Sequence, residues 1–321
     1  MRKLHKRPER LSWIWVKWGL LVAFLAALTW LMVQQARQIA WSEVMASVRA
    51  YSWATLLTCS ALAVASLTLY SCYDLLGRRY TSHRLPTLRV MLVTFISYVF
   101  NLNLGALIGG VAFRLRLYTR LGLHTGQITL IYSLSLVTNW LGYFLLAGSL
   151  FALHPLPLPP NWPIHKAGLQ FLGAALLAAG LAYLLLCAFS KRRSWAWRGH
   201  EFSLPSGRMA ALQAGLGTDN WLLLGTLLVV LMPANLDFAS IMQVMLLAAL
   251  AGVLTHVPAG IGVLEAVFVA LLAHRAPTHQ LLAALLAYRL IYYLAPLVLA
   301  LLLYLLSEVF LKKPALPHQD R

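Results

Sequence analysis

An all-α polytopic membrane protein is the fold class this sequence predicts, on three observations. Sixty per cent of its 321 residues are apolar and only 11% are charged, an apolar excess that a soluble domain of this size does not carry. Apolar runs of 20 or more residues recur along the chain, each long enough to cross a hydrocarbon core of about 30 Å. The charges gather in short stretches between those runs, where a membrane tolerates them.

Eight apolar segments follow in order. Trp13–Val33 comes after a basic tail at residues 1–12. It is too long for a signal h-region and lacks a small-residue cleavage site, so it is expected to be a retained first helix. Trp41, Val44, Met45 and Val48 then recur at helical spacing, with Glu43 and Arg49 off that face, which predicts an amphipathic helix lying on the surface. Trp53–Leu76 is the second segment, and Asp74, one turn before Arg78, suggests a local ion pair. Val90–Ala112 is broken by Asn101-Leu102-Asn103-Leu104-Gly105, with Gly109 and Gly110 close behind. Ile128–Leu153 leads into a Pro-rich stretch, His154–Pro163, read as a stiff connector. Gly168–Phe189 and Met209–Met232 come next, the latter carrying Asp219 midway. Phe238–Ala273 would be about 54 Å long as one helix, more than the hydrocarbon needs, and His256-Val257-Pro258-Ala259-Gly260-Ile261-Gly262 interrupts it. Leu281–Leu311 is the last, with Arg289 eight residues inside. The three cysteines, Cys59, Cys72 and Cys187, all lie within apolar runs and read as small buried hydrophobes.

Net charge is +17, from 26 Lys and Arg against nine Asp and Glu. A basic balance can mark nucleic-acid binding, but no loop here is long enough to fold as a basic module, so no nucleic-acid partner is expected. If all eight segments cross, 14 basic residues face the cytoplasm and 11 the far side. If the segments near 90–112 and 238–273 enter and leave on one side, the ratio becomes 21 to four, with Arg289 inside a span. The positive-inside rule selects the second arrangement: six crossings, two re-entrant hairpins, and both tails (1–12 and 312–321) cytoplasmic. Residues 1–321 then form one membrane domain. A first half at 53–153 holds the inner hairpin, and a second half at 209–311 holds the outer one in opposite orientation. That order is the pattern of inverted-repeat transporters, in which broken segments meet near the midplane and form the substrate site.

Charges within hydrocarbon are costly enough to be candidates for function. Asp219 reads either as a hydrogen-bonded residue fixing helix packing or as a proton relay or counter-ion. Glu265 and Arg289 are estimated at similar depth, roughly 12 Å from the outer surface, so they can pair; alternatively, Arg289 snorkels to the interface. Tyr288, Tyr292 and Tyr293 surround Arg289 in sequence. Asn101, Asn103, Gly105 and Gly109 mark the inner hairpin tip, and Arg114, Arg116 and Arg120 follow it at the expected cytoplasmic surface, where guanidinium groups suit phosphate. His256, Pro258, Gly260 and Gly262 mark the outer tip, His256 as a hydrogen-bonder rather than a metal ligand. The sequence has no G-x4-G-K-[ST] loop, no H-E-x-x-H pair and no Cys/His cluster, so neither a cofactor nor a metal is expected. Ser133 and Ser135 lack a His/Asp constellation for nucleophilic catalysis.

Tyr70-Ser-Cys-Tyr-Asp-Leu-Leu76, Thr138-Asn-Trp-Leu-Gly-Tyr143, His256-Val-Pro-Ala-Gly-Ile-Gly-Val-Leu-Glu-Ala266 and Ala283-Ala-Leu-Leu-Ala-Tyr-Arg289 resemble the YbhN-type inner-membrane proteins of the lysylphosphatidylglycerol synthase transmembrane, or flippase-like, family. The run from Pro258 to Glu265 is the most specific stretch. The resemblance implies a bacterial inner-membrane domain that moves lipid between leaflets, with an anionic phospholipid as partner. The synthases continue into a soluble aminoacyl-transferase domain, whereas this chain stops at Arg321, so aminoacylation is not carried over. The family's first hairpin often has a proline and a glutamate near its break, where this chain has Gly105, Gly109 and Ala112. Three functions are therefore set against one another: movement of a phospholipid or lipid-linked molecule between leaflets, a membrane partner for a separate lipid-synthesising enzyme, and an intramembrane lipid-modifying enzyme.

Overall fold

The computed structural model describes residues 41–154, 156, 166–191, 194–197, 200–255, 257 and 260–310. The first apolar segment Trp13–Val33, both tails, His256, Pro258 and most of the Pro-rich connector lie outside the described residues. What is described is helical apart from one short β-hairpin, and the all-α polytopic class is borne out. Seven helical stretches among the described residues are long and apolar enough to cross a membrane. Large apolar side chains such as Leu57, Phe171, Leu185 and Val298 are exposed on their outer faces, as contact with lipid tails requires.

Helix α1 (Trp41–Arg49) is the expected surface helix: Val44 is fully buried, and Glu43 reaches His279. Helix α2 (Trp53–Ser71) starts at Ser52, whose hydroxyl accepts the Thr55 amide, and runs with a slight break at Cys72 into α3 (Tyr73–Thr81). Helix α4 (Thr87–Leu104) ends at Gly105, whose φ of +86° suits a residue without a Cβ. A wide π-helical turn, Ala106–Ala112, and α5 (Phe113–Arg120) then bring the chain back along α4. Phe100 and Phe113 stack with ring centroids 4.1 Å apart, whereas thirteen residues of continuous helix would separate them by about 20 Å. A Cβ on Gly109 would lie 2.0 Å from the Asn101 backbone nitrogen, so only glycine permits this approach. The chain therefore doubles back here. The return arm is helical through Arg120, which corrects the expected end at Ala112 and places Arg114 inside the bundle.

Helix α6 (Thr125–Leu153) and α7 (Lys166–Phe189) pack side by side, and a hairpin of β1 (Ser194–Trp197) and β2 (His200–Ser203) follows in the basic stretch that was expected to be loop. Helix α8 (Gly207–Leu231) crosses α6 so closely that a Cβ on Gly142 would meet the Gly217 carbonyl carbon at 2.1 Å. Helix α9 (Phe238–Thr255) and α10 (Val263–Leu272) form a second doubled-back pair, turning through Gly260 and Gly262 at positive φ. Its two ends meet where Arg275 Nη2 donates to Asp237 Oδ1 at 2.9 Å. Helix α11 (Thr278–Arg289), a second π-helical turn (Leu290–Leu294) and α12 (Ala295–Phe310) complete the described chain.

The two hairpins open at opposite ends of α8, a helix about 37 Å long. At its start, Tyr80 from the end of α3 donates to the Ser203 carbonyl at 2.8 Å, and Arg78 donates to Thr87 at the mouth of the first hairpin. At its other end, Tyr51 donates to the Leu231 carbonyl at 2.7 Å, and the second hairpin begins a few residues later.

Candidate functional site

On the return arm of each hairpin a charged side chain, Arg114 in the first and Glu265 in the second, finds an opposite charge on a neighbouring helix. In the first, Arg114 Nε donates to Asp74 Oδ2 at 3.0 Å, and Nη2 donates to Oδ1 at 3.2 Å. The Tyr118 hydroxyl also donates to Asp74, while Arg114 reaches the Gly110 carbonyl and the Ser135 hydroxyl. Exposure of the two charged side chains is 1% and 0%. The expected local pair of Asp74 with Arg78 is not formed, because the buried guanidinium at Arg114 claims the carboxylate. Nor does Arg114 lie at the surface as expected: one α-helical turn beyond Gly110, it points into the bundle.

In the second hairpin, Arg289 Nε donates to Glu265 Oε1 at 2.5 Å, and Nη2 donates to Oε2 at 3.1 Å and to the Gly260 carbonyl at 2.9 Å. The Gly262 amide donates to Glu265 Oε2 at 2.9 Å, so the same carboxylate caps α10. Arg289 also lies over the Tyr293 ring, 5.4 Å from its centroid. Here the side chains remain 15% and 25% exposed. The π-helical turn directly after Arg289 widens the helix where the hairpin tip contacts it, a common position for such turns near functional sites.

Polar side chains lie between the two tips. The Asn103 amide donates to the Val99 carbonyl and, at 3.4 Å, to that of Tyr293. Tyr292 shares hydrogen bonds with Tyr98 at 3.2 Å and with Ser66 at 3.0 Å, and Ser66 donates to Asn220 Oδ1 at 2.7 Å. The buried Asn220 Nδ2 has no partner among the described residues. Tyr288 stacks parallel to Tyr292 with centroids 5.7 Å apart. This network ties α2, α4, α8 and the last helix together at mid-bundle.

Of the residues singled out in the sequence, Gly260, Gly262, Glu265, Tyr288, Arg289 and Tyr292 lie together around the second tip, with Asn103 adjoining. Asn101, Gly105 and Gly109 shape the first tip, the half-buried Asn101 facing Gly110. Asp219 stands apart: it is exposed at the middle of α8 and makes no hydrogen bond or ion pair among the described residues. It does not pack the helix, and Asn220 beside it does. The sequence reading missed Ser66, Tyr98, Asn220 and Tyr118. It also missed the partner of Arg114, for which there was a signal. Asp74 is the sole acidic residue between Trp53 and Leu153, so a buried arginine in that half has only one carboxylate to meet.

Residues 16–300 match the family described as the lysylphosphatidylglycerol synthase TM region. The chain belongs to that family. The inner membrane protein YbhN of Escherichia coli is 43% identical to it over 314 residues, covering 98% of this chain and 97% of that protein. An uncharacterized protein of Synechocystis is 33% identical over 268 residues, 80% of each chain. A phosphatidylglycerol lysyltransferase of Staphylococcus haemolyticus is 26% identical over 252 residues, covering 74% of this chain but only 28% of that longer protein. Family membership and the apolar helices together make this a multi-pass inner-membrane protein.

Proposed function

We propose that this synthase-family membrane protein moves an anionic phospholipid, or a lipid-linked molecule bearing phosphate, between leaflets of the inner membrane. The observation that carries the reading is the half-open Glu265–Arg289 pair at the tip of the second hairpin. A guanidinium presents a planar fork that a phosphodiester engages as readily as a carboxylate does. A lipid phosphate can therefore displace Glu265 from Arg289, and Glu265 keeps the Gly262 amide when it lets go. Supporting the reading, the two hairpins open at opposite ends of α8, as expected of re-entrant segments in an inverted repeat of 53–153 and 209–311. Both tails then face the cytoplasm, and the exposed Asp219 is available as a proton relay or as counter-ion to a bound group.

Leaflet-specific lipid movement by purified protein in liposomes tests this. Movement without any added protein supports it, and a protein inert with every anionic phospholipid overturns it. A second reading, a membrane partner for a separate lipid-synthesising enzyme, gains support from the lysyltransferase match. There the matched region accounts for only 28% of a longer protein named for a lipid-modifying activity. Movement seen only when such an enzyme is co-reconstituted would favour it.

A further inference from the structure

We infer that the mouth of the second hairpin holds a separate anion site, built to take a phosphate group as a monoester or diester. A cleft of about 450 Å³ opens there, lined by His154, Lys166, Asp237, Ser240, Gln243 and Arg275 together with two apolar side chains. Four parts of the chain converge on it: the end of α6, Lys166 of α7, the start of α9, and the link between α10 and α11.

The charges in this cleft are unequal. Asp237, though half exposed, is already engaged: it accepts the Ser240 amide at 2.9 Å and the Ser240 hydroxyl at 2.8 Å, as well as Arg275 Nη2. Arg275 is held in place by a second bond, from Nη1 to the Ser240 hydroxyl at 2.9 Å, and by its own carbonyl, which accepts from Asn235. A guanidinium has five N–H groups, and these contacts use two. Lys166 faces the same cleft, and among the described residues it has no carboxylate partner. The connector from 155 to 165 contains no Asp or Glu to supply one. Gln243, itself buried, accepts the Leu156 amide at 3.0 Å and fixes one wall. The result is a polar cleft with surplus positive charge and N–H donors from Lys166, Arg275 and His154. Phosphate chemistry meets those requirements whether it arrives as a lipid head group or as a free ion.

The site requires no movement of lipid, so its test is a binding measurement. The protein in phosphatidylcholine nanodiscs is titrated calorimetrically with inorganic phosphate and, separately, with dihexanoyl-phosphatidylglycerol. Saturable binding of either probe is expected, weakened about tenfold or more by Lys166→Glu, since a charge-assisted hydrogen bond is replaced by repulsion. Lys166 is exposed, and surface substitutions of this kind cost little stability, so the variant should fold and melt as the wild type does. Binding of the lipid probe alone identifies the ligand as a head group, and binding of phosphate alone identifies a soluble anion; both outcomes support the site. Failure of both probes to bind, or wild-type affinity in Lys166→Glu, overturns it.

Discussion

The two doubled-back helix pairs use the same device in different ways. Each return arm carries a charged residue whose carboxylate–guanidinium pair is bidentate, and each arginine also holds a carbonyl of a hairpin-tip glycine: Gly110 for Arg114 and Gly260 for Arg289. Around Asp74 and Arg114 the protein closes completely, adding the Tyr118 hydroxyl so that no charge faces an apolar wall. Around Glu265 and Arg289 it leaves a fraction of both side chains accessible. A sealed pair can hold a fold but cannot exchange partners, whereas an accessible one can do both. On the function proposed above, the difference separates a structural hairpin from a working one within a single chain.

The largest expected effect belongs to the sealed pair. Asp74→Ala or Arg114→Ala strands the opposite charge in the bundle and should cost about 3–5 kcal/mol. Thermal unfolding in detergent should show either variant far below the wild type, and a small shift would mean that the first pair is not sealed. Next comes the close contact at the first tip. Gly109→Ala forces a methyl into the Phe100–Asn101 backbone and should destabilise by about 1–3 kcal/mol, measured in the same way. Gly262→Ala at φ +80° should cost about 1–2 kcal/mol while leaving membrane insertion intact. Lipid movement should suffer more than stability, because this backbone carries the Glu265 carboxylate.

The smallest effect is at the mouth of the second hairpin. Burial raises the Asp237 pKa, but hydrogen bonds from Arg275 and Ser240 outweigh it and hold the carboxyl at about 2. A lowered pKa stabilises the folded protein above the unfolded carboxylate value of about 4, and that stability is lost as pH falls through 2. With the side chain half exposed, the contribution should stay under about 1 kcal/mol. Comparing the pH dependence of unfolding in wild type and Asp237→Asn between pH 5 and 2 should show the two curves converging at the acid end.

Much of this architecture was legible in the sequence because the membrane imposes simple rules. The runs ending at Leu76, Leu153 and Phe189 needed only length, and the interruptions at Asn101–Gly105 and His256–Gly262 needed only the cost of open backbone in hydrocarbon. Depth counting left the Glu265–Arg289 pair as one of two readings, beside a snorkelling Arg289, since each charge lies a countable number of residues beyond its turn. Depth counting failed for Arg114, because the return arm stays helical beyond Ala112 and carries the side chain inward, where a loop would have carried it out. The Asp74 pairing was lost with it, since a nearer arginine at Arg78 satisfied the local rule. The rest of the mid-bundle network around Tyr292, namely Ser66, Tyr98 and Asn220, was beyond reach, because these residues come from three other helices and carry no charge to mark them.

Reconstituted Arg289→Lys, assayed for movement of phosphatidylglycerol across liposome leaflets beside its own unfolding curve, tests the central claim most directly. An ammonium keeps the charge that Glu265 needs but cannot offer the fork that a phosphodiester needs. The expected result is a protein that melts within a few degrees of the wild type and moves lipid at least about tenfold more slowly. Lipid movement at the wild-type rate would contradict the account and leave the second pair as structural as the first.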